Sequence, residues 1–222
     1  MPAPQHRTRL SLPILKAEAS AFAAIQTART EPSLYGVTDG KAVGTFVEHG
    51  FREYLAKKYE WNVGNSAKGI DFPDLDIDMK VTSIKQPQSS CPFKAARQKV
   101  FGLGYSLLVF VYEKVDDPRT KSARLNILHV VFVQKEATAD YQTTAGIRKI
   151  LENGGNRDDL LAFMEERMLP LDEIGATALA DEILATPPVL GYLTISNALQ
   201  WRLQYGRVIE KAGAVAGLER LV

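Results

Sequence analysis

The sequence predicts a mixed α/β fold of α+β type, with a mixed central sheet flanked by helices and a helical C-terminal region. Three observations carry this. Helical patterns come first, then a compact set of strands with one helix inserted, then helices again. Leu107 to Tyr112 is wholly apolar, as in a central strand buried on both faces. Leu75, Ile77, Met79 and Val81 alternate with Asp76, Asp78, Lys80 and Thr82, the period of two of a strand with one apolar and one polar face.

The elements follow in order. Residues 15–29 are Ala-rich and predict a first helix, broken by Glu31-Pro32-Ser33. Thr38-Asp39-Gly40 starts a second helix over 41–59, whose stripe of Ala42, Phe46, Val47, Phe51, Tyr54 and Leu55 recurs at helical spacing. A polar connection over 61–68 leads to strands at 69–73 and 75–83. Prolines and serines predict a loop over 86–92. A short helix over 93–101 stops at Gly102 and Gly104. Strands follow at 105–112 and 125–134, separated by a turn at Asp116-Asp117-Pro118. Helices are predicted at 140–152, 157–166, 171–186 and 194–212. A chain of 222 residues holds one full-sized domain, or one with an appendage. We divide it into a core, 1–139, and a helical region, 140–222, that serves DNA binding or dimerisation.

Composition narrows the function. The 27 Lys and Arg against 26 Asp and Glu give a net charge of +1, so any nucleic-acid affinity comes from a local basic surface. Cys91 is the single cysteine, which excludes a disulfide framework and fits a reducing cytoplasm. With three histidines, His6, His49 and His129, zinc-finger and histidine-based nuclease chemistries lack ligands. No apolar stretch is long enough to span a membrane, and no Gly-x4-Gly-Lys-Ser/Thr motif indicates a nucleotide cofactor.

The chemistry concentrates in Asp71-Phe72-Pro73-Asp74-Leu75-Asp76-Ile77-Asp78-Met79-Lys80. A tight hairpin about Asp74 and Leu75 puts Asp71 opposite Asp78, with Cβ atoms about 5 Å apart. One cation bridges carboxylates at that separation, and magnesium takes one or two carboxylates plus substrate phosphate. Lys80, two residues after Asp78, lies on the same strand face. Pairing Asp74 with Asp78 instead leaves no room for a turn. In the bland alternative Asp71, Asp74 and Asp76 are turn-formers, which leaves Asp78 and Lys80 unexplained. Two clustered carboxylates repel, so a metal relieves strain and Lys80 is held charged.

Gly69-Ile70-Asp71 through Asp78-Met79-Lys80 resembles the PD-(D/E)xK nuclease superfamily, which includes most type II restriction endonucleases. The motif is most similar to the MutH-like branch, with Asp-Phe-Pro, a six-residue gap and then Glu-x-Lys; here Asp stands for Glu at 78. The segment Gly40 to Glu48 resembles that branch's glutamate-bearing helix. The resemblance covers roughly 38–113 and implies a restriction-endonuclease-like core. It implies Asp71 and Asp78 as Mg2+ ligands, with the Met79 backbone carbonyl as a third. Lys80 then orients or activates water and stabilises developing charge. Glu48 holds a second metal or the water beside it, with Glu53 its competitor on the same helix.

Contacts to DNA have several candidates, each with a duller reading as solvated surface. Lys94 and Arg97 share a helix face with Gln98 and suit phosphates. Gln86, Gln88, Ser89 and Ser90 follow the catalytic strand, and Gln pairs bidentately with adenine. On the last helix Asn197, Gln200, Gln204, Arg207 and Lys211 fall within an arc of about 80°, opposite Ile195, Leu203 and Ile209, while Arg202 points into the apolar arc. This resembles the second half of a helix-turn-helix, although Thr186 to Leu193 is too long for its turn; packing or dimerisation is the alternative use.

The expected function is Mg2+-dependent, sequence-specific hydrolysis of double-stranded DNA by a type II restriction endonuclease, as a homodimer at a symmetric site. The rivals are a repair or nicking endonuclease of MutH type and a non-enzymatic DNA-binding regulator. An inactivated nuclease is disfavoured because all three motif residues are present.

Overall fold

A computed structural model describes residues 7–62, 70–91, 95–196 and 201–222. The chain forms two compact units, each assembled from separate stretches. The first comprises Met1–Pro87, Leu107–Phe132 and Glu219–Val222; the second comprises Gln88–Ser106 and Val133–Leu218. The boundary expected at 139 falls inside the second unit.

The first unit is a mixed α+β structure. Its main sheet runs in the order Leu218–Arg220, Ser122–Val133, Ser106–Asp117, Ile77–Ser83, with Thr30–Glu31 antiparallel to Ser122–Val133. A separate parallel pair joins Thr8–Arg9 to Tyr59–Glu60. The expected apolar strand is buried throughout Leu107 to Tyr112. Two helices, Leu12–Thr27 and Gly40–Ala56, supply the rest of the core. Pro13 suits the first turn of the former. In the latter, Asp39 caps the start by accepting from the Lys41 N–H at 3.0 Å. Val43, Val47, Phe51 and Leu55 recur every four residues and pack with Phe22, Ile77, Met79 and Phe110. The Phe22, Phe51 and Phe110 rings meet at 5.1–6.2 Å between centroids.

Glu18 fastens one helix to the other. Its carboxylate accepts from the Tyr59 hydroxyl at 2.6 Å, Lys58 Nζ at 2.9 Å and the Tyr54 hydroxyl. Burial opposes the charge, but these donors outweigh it and hold Glu18 at about 2.

The second unit packs the helices Tyr141–Glu152, Arg157–Glu166 and Glu173–Ala185 about Ile147, Leu160, Met164, Leu179 and Ile183. All three start at a polar cap: Asp140, Asn156 and Asp172. Asp140 does more than cap. Its Oδ2 takes the Thr143 N–H and hydroxyl, and its Oδ1 takes the Ile195 N–H at 2.8 Å. Gly102, at φ +88°, ends the short Arg97–Phe101 helix as expected, and a Cβ there would lie 2.4 Å from the Lys135 carbonyl oxygen.

Three predicted elements are corrected. Residues 86–92 are not all loop: Gln88–Cys91 is a strand, completed by pairing with Trp201–Gln204. The 69–73 strand shrinks to one bridge, Phe72 against Ile77, because Pro73–Leu75 turns as a 3-10 helix. The long helix over 194–212 is absent from the described residues there, which form the strands Thr194–Ile195 and Trp201–Gln204 and a short helix, Gly206–Lys211. Trp201, Leu203 and Tyr205 are buried and alternate with exposed Arg202 and Gln204, so the period is two and Arg202 faces out rather than into an apolar arc. Among the described residues no helix is long and apolar enough to cross a membrane.

Two outcomes test these supports. Glu18 is depressed in the folded state, so its stabilisation is present above its ordinary 4.5 and lost as pH falls toward 2. Glu18→Gln should cost about 1–3 kcal/mol at pH 7, with a shrinking difference in acid denaturation. At Gly191 a Cβ would lie 2.2 Å from the Ala139 carbonyl oxygen. Gly191→Ala should lower stability by more than about 2 kcal/mol in a denaturant melt, because backbone must shift.

Candidate active site

The site is built on a buried ring. Phe72 is 1% exposed. It packs edge-on to Phe51 and against Trp61, with centroids 6.4 and 6.1 Å away. Its N–H donates to the Ile77 carbonyl at 2.9 Å, and the Ile77 N–H donates back at 3.3 Å. Asp76, at φ +52°, closes the turn between them, a left-handed position that Asp tolerates. Phe72 facing Ile77 in an antiparallel bridge sets Asp71 opposite Asp78. This is the register expected, although a four-residue turn makes it rather than a two-residue one.

The side chains then converge. The Met79 N–H donates to Asp71 Oδ2 at 2.8 Å. Asp78 is 3% exposed, and Lys80 Nζ lies 2.6 Å from its Oδ2. Asp71 and Asp78 are close enough to interact with each other. The Arg52 guanidinium binds Asp71 Oδ1. Glu48, one turn before Arg52, is half-buried and within electrostatic reach of Asp71 and Lys80, whereas Glu53 is exposed. Asp74 turns elsewhere, to Arg9 and Asn62.

Burial and crowding set the protonation states. Asp78 is pushed up to about 7, first by burial and then by the Asp71 charge, against the pull of Lys80. Glu48 is raised by burial and by Asp71. Burial alone would lower Lys80, but Asp78, Asp71 and Glu48 raise it, so it stays an ammonium. The described donors here are carboxylate oxygens, the set that hard cations such as magnesium and calcium take. Among the described residues no three His, Cys, Asp or Glu side chains form a ready metal cage. Asp71 and Asp78 are two carboxylates of the kind that a hard divalent cation takes beside water or phosphate ligands.

Arg52 escaped the sequence reading. The available signal was its place four residues after Glu48, on the same helix face.

The expected DNA contacts that are described fall on several elements. Lys94, Asn197 and Gln200 lie outside the described residues. Gln86 is exposed in the turn after the site strand. Gln88, Ser89 and Ser90 lie on the strand of the second unit, with Ser89 Oγ 2.5 Å from the Tyr205 hydroxyl. Arg97 is engaged by Glu182, with Nε 2.9 and 3.0 Å from its two oxygens. Gln204 is a strand residue, Arg207 stacks 3.6 Å over the Tyr141 ring, and Lys211 pairs with Glu210 at 2.7 Å. They do not share one helix face.

The family model for the type II restriction enzyme NspV matches residues 9–220. The type II restriction enzyme NspV of Nostoc sp. (strain ATCC 29411 / PCC 7524) is 63% identical over 211 residues, covering 95% of this chain and 96% of that protein. No solved structure matches the chain. The class is that of type II restriction enzymes, which are endodeoxyribonucleases. Within that class, the chain belongs to the NspV family.

Arg52 covers one oxygen of Asp71 while the backbone holds the other. Calcium titrated calorimetrically without DNA should therefore bind Arg52→Gln about tenfold more tightly, the worth of one charge-assisted hydrogen bond. In the parent protein affinity should rise with pH through the value of about 7 at which Asp78 loses its proton.

Proposed function

We propose that this restriction endonuclease hydrolyses phosphodiesters of double-stranded DNA at a specific sequence through a PD-(D/E)xK-type site of Asp71, Asp78 and Lys80, with Mg2+ as cofactor. One observation carries the reading. Two carboxylates interact with each other, one of them almost fully buried, and a charged lysine two residues along the strand lies 2.6 Å from the second. Structural ion pairs are seldom built this way, because neighbouring negative charges repel and burying one of them is costly.

Asp71, Asp78 and the Met79 carbonyl would hold the ion, with Glu48 holding a second ion or a water. Magnesium, when bound, supplies a Lewis acid at the phosphoryl oxygen and makes water more acidic. Lys80 remains an ammonium, so it offers a fixed positive charge where negative charge develops and orients the attacking water. The Met79 N–H keeps Asp71 in place throughout. Cutting both strands of a symmetric site calls for a homodimer.

Purified protein incubated with plasmid and phage DNA and magnesium should give discrete fragments, whose sequenced ends define the site. Lys80→Ala should slow cleavage by about a hundredfold or more. Fragments forming at an unchanged rate in that variant would remove Lys80 from the site. Open-circle product without linear DNA would show a nicking enzyme instead.

A further inference from the structure

We propose that the open face of the small sheet in the second unit reads base edges in the major groove, with Arg202 and Gln204 as specificity-determining side chains. The proposal rests on the DNA-cutting activity of the family and not on the assignment of Asp71, Asp78 and Lys80.

The register defines the face. Gln88 lies opposite Gln204, and Ser90 opposite Arg202, in an antiparallel pair. Thr194 flanks Gln204 on the other side. Ser90, Arg202 and Gln204 are exposed, and Gln88 and Thr194 are half-buried. The opposite face is core, with Cys91, Ile195, Trp201 and Leu203 between 0% and 4% exposed. One side therefore packs and the other is polar, with one cation and no carboxylate at these positions.

The chemistry of that side fits DNA. Arg pairs bidentately with guanine and Gln with adenine, while Ser and Thr accept either donor or acceptor edges. An antiparallel ribbon fits the major groove. Side chains two residues apart on a strand are about 7 Å apart, close to two base-pair steps of about 3.4 Å each. Gln204 and Arg202 would then address positions two steps apart. Readout needs a rigid platform. The Arg202 N–H donates to Ser196 Oγ at 3.0 Å, and the Ile195 N–H is held by buried Asp140 at 2.8 Å.

The test uses the full chain, without metal, and duplexes carrying the site defined by fragment-end sequencing. Arg202→Ala and Gln204→Ala should each weaken cognate binding by about 10- to 100-fold and leave the melting temperature and binding to unrelated duplex unchanged. Each should also level the penalty for base substitution at one position, a G·C pair for Arg202 and an A·T pair for Gln204. Arg202→Lys should not rescue, because an ammonium lacks the planar fork. Three results would overturn the proposal: uniform weakening across all sequences with rescue by lysine, which marks a phosphate contact; dissociation of a dimer in sedimentation with discrimination intact, which marks a self-interface; or unchanged affinity and discrimination. Asp78→Asn should still discriminate sequences, so a wrong catalytic assignment and a wrong reading face give different results.

Discussion

The burial of Phe72 against Phe51 is the contact on which the site depends. Each ring has a charged neighbour in sequence: Asp71 before Phe72, and Arg52 after Phe51. Bringing the rings together at 6.4 Å therefore brings the Gly40–Ala56 helix and the turn before the site strand together, and the charges follow. The magnitudes favour this order of cause. Burying a phenylalanine stabilises by about 1.5–3 kcal/mol. Taking opposite charges out of water costs several kcal/mol per ion before their attraction is counted. The aromatic core holds the charged groups in place, and the ion pairs do not hold the core.

Each of the two motif carboxylates meets a cation of the chain's own. Asp78 has Lys80, and Asp71 has Arg52 on one oxygen and a backbone N–H on the other. The two cations differ in exposure. Lys80 has 21% of its side chain exposed and Arg52 has 37%, and the latter comes from a helix rather than from the strand itself. Arg52 thus engages Asp71 from outside the strand.

Much of this geometry is legible in the letters. Alternation from Leu75 to Thr82 sets the face of Asp78 and Lys80, and Pro73 near the turn sets the register of Asp71. Arg97 is harder, because its partner Glu182 is 85 residues away and nothing local announces it. The segment after 194 is misread for a definite reason. Trp201-Arg202-Leu203-Gln204-Tyr205 alternates, but a projection at 100° per residue over 194–212 also sorts Asn197, Gln200, Gln204, Arg207 and Lys211 into an arc. Placing Arg202 among apolar residues was the sign that the period was wrong. Gln88–Cys91 is likewise unreadable alone, since Gln and Ser have little strand preference and pairing supplies what propensity lacks.

The last strand of the main sheet, Leu218–Arg220, has a consequence for how the protein comes into being. Leu221 bonds to Val130, and Glu219 pairs with Lys16 across 203 residues of chain at 2.7 Å. The sheet that carries Asp78 and Lys80 is therefore closed at one edge by a strand from far along the chain, Leu218–Arg220 beside Ser122–Val133. Closure by contacts this far apart in sequence makes folding slow by topology, because the entropy of closing the loop is lost before the contacts reward it.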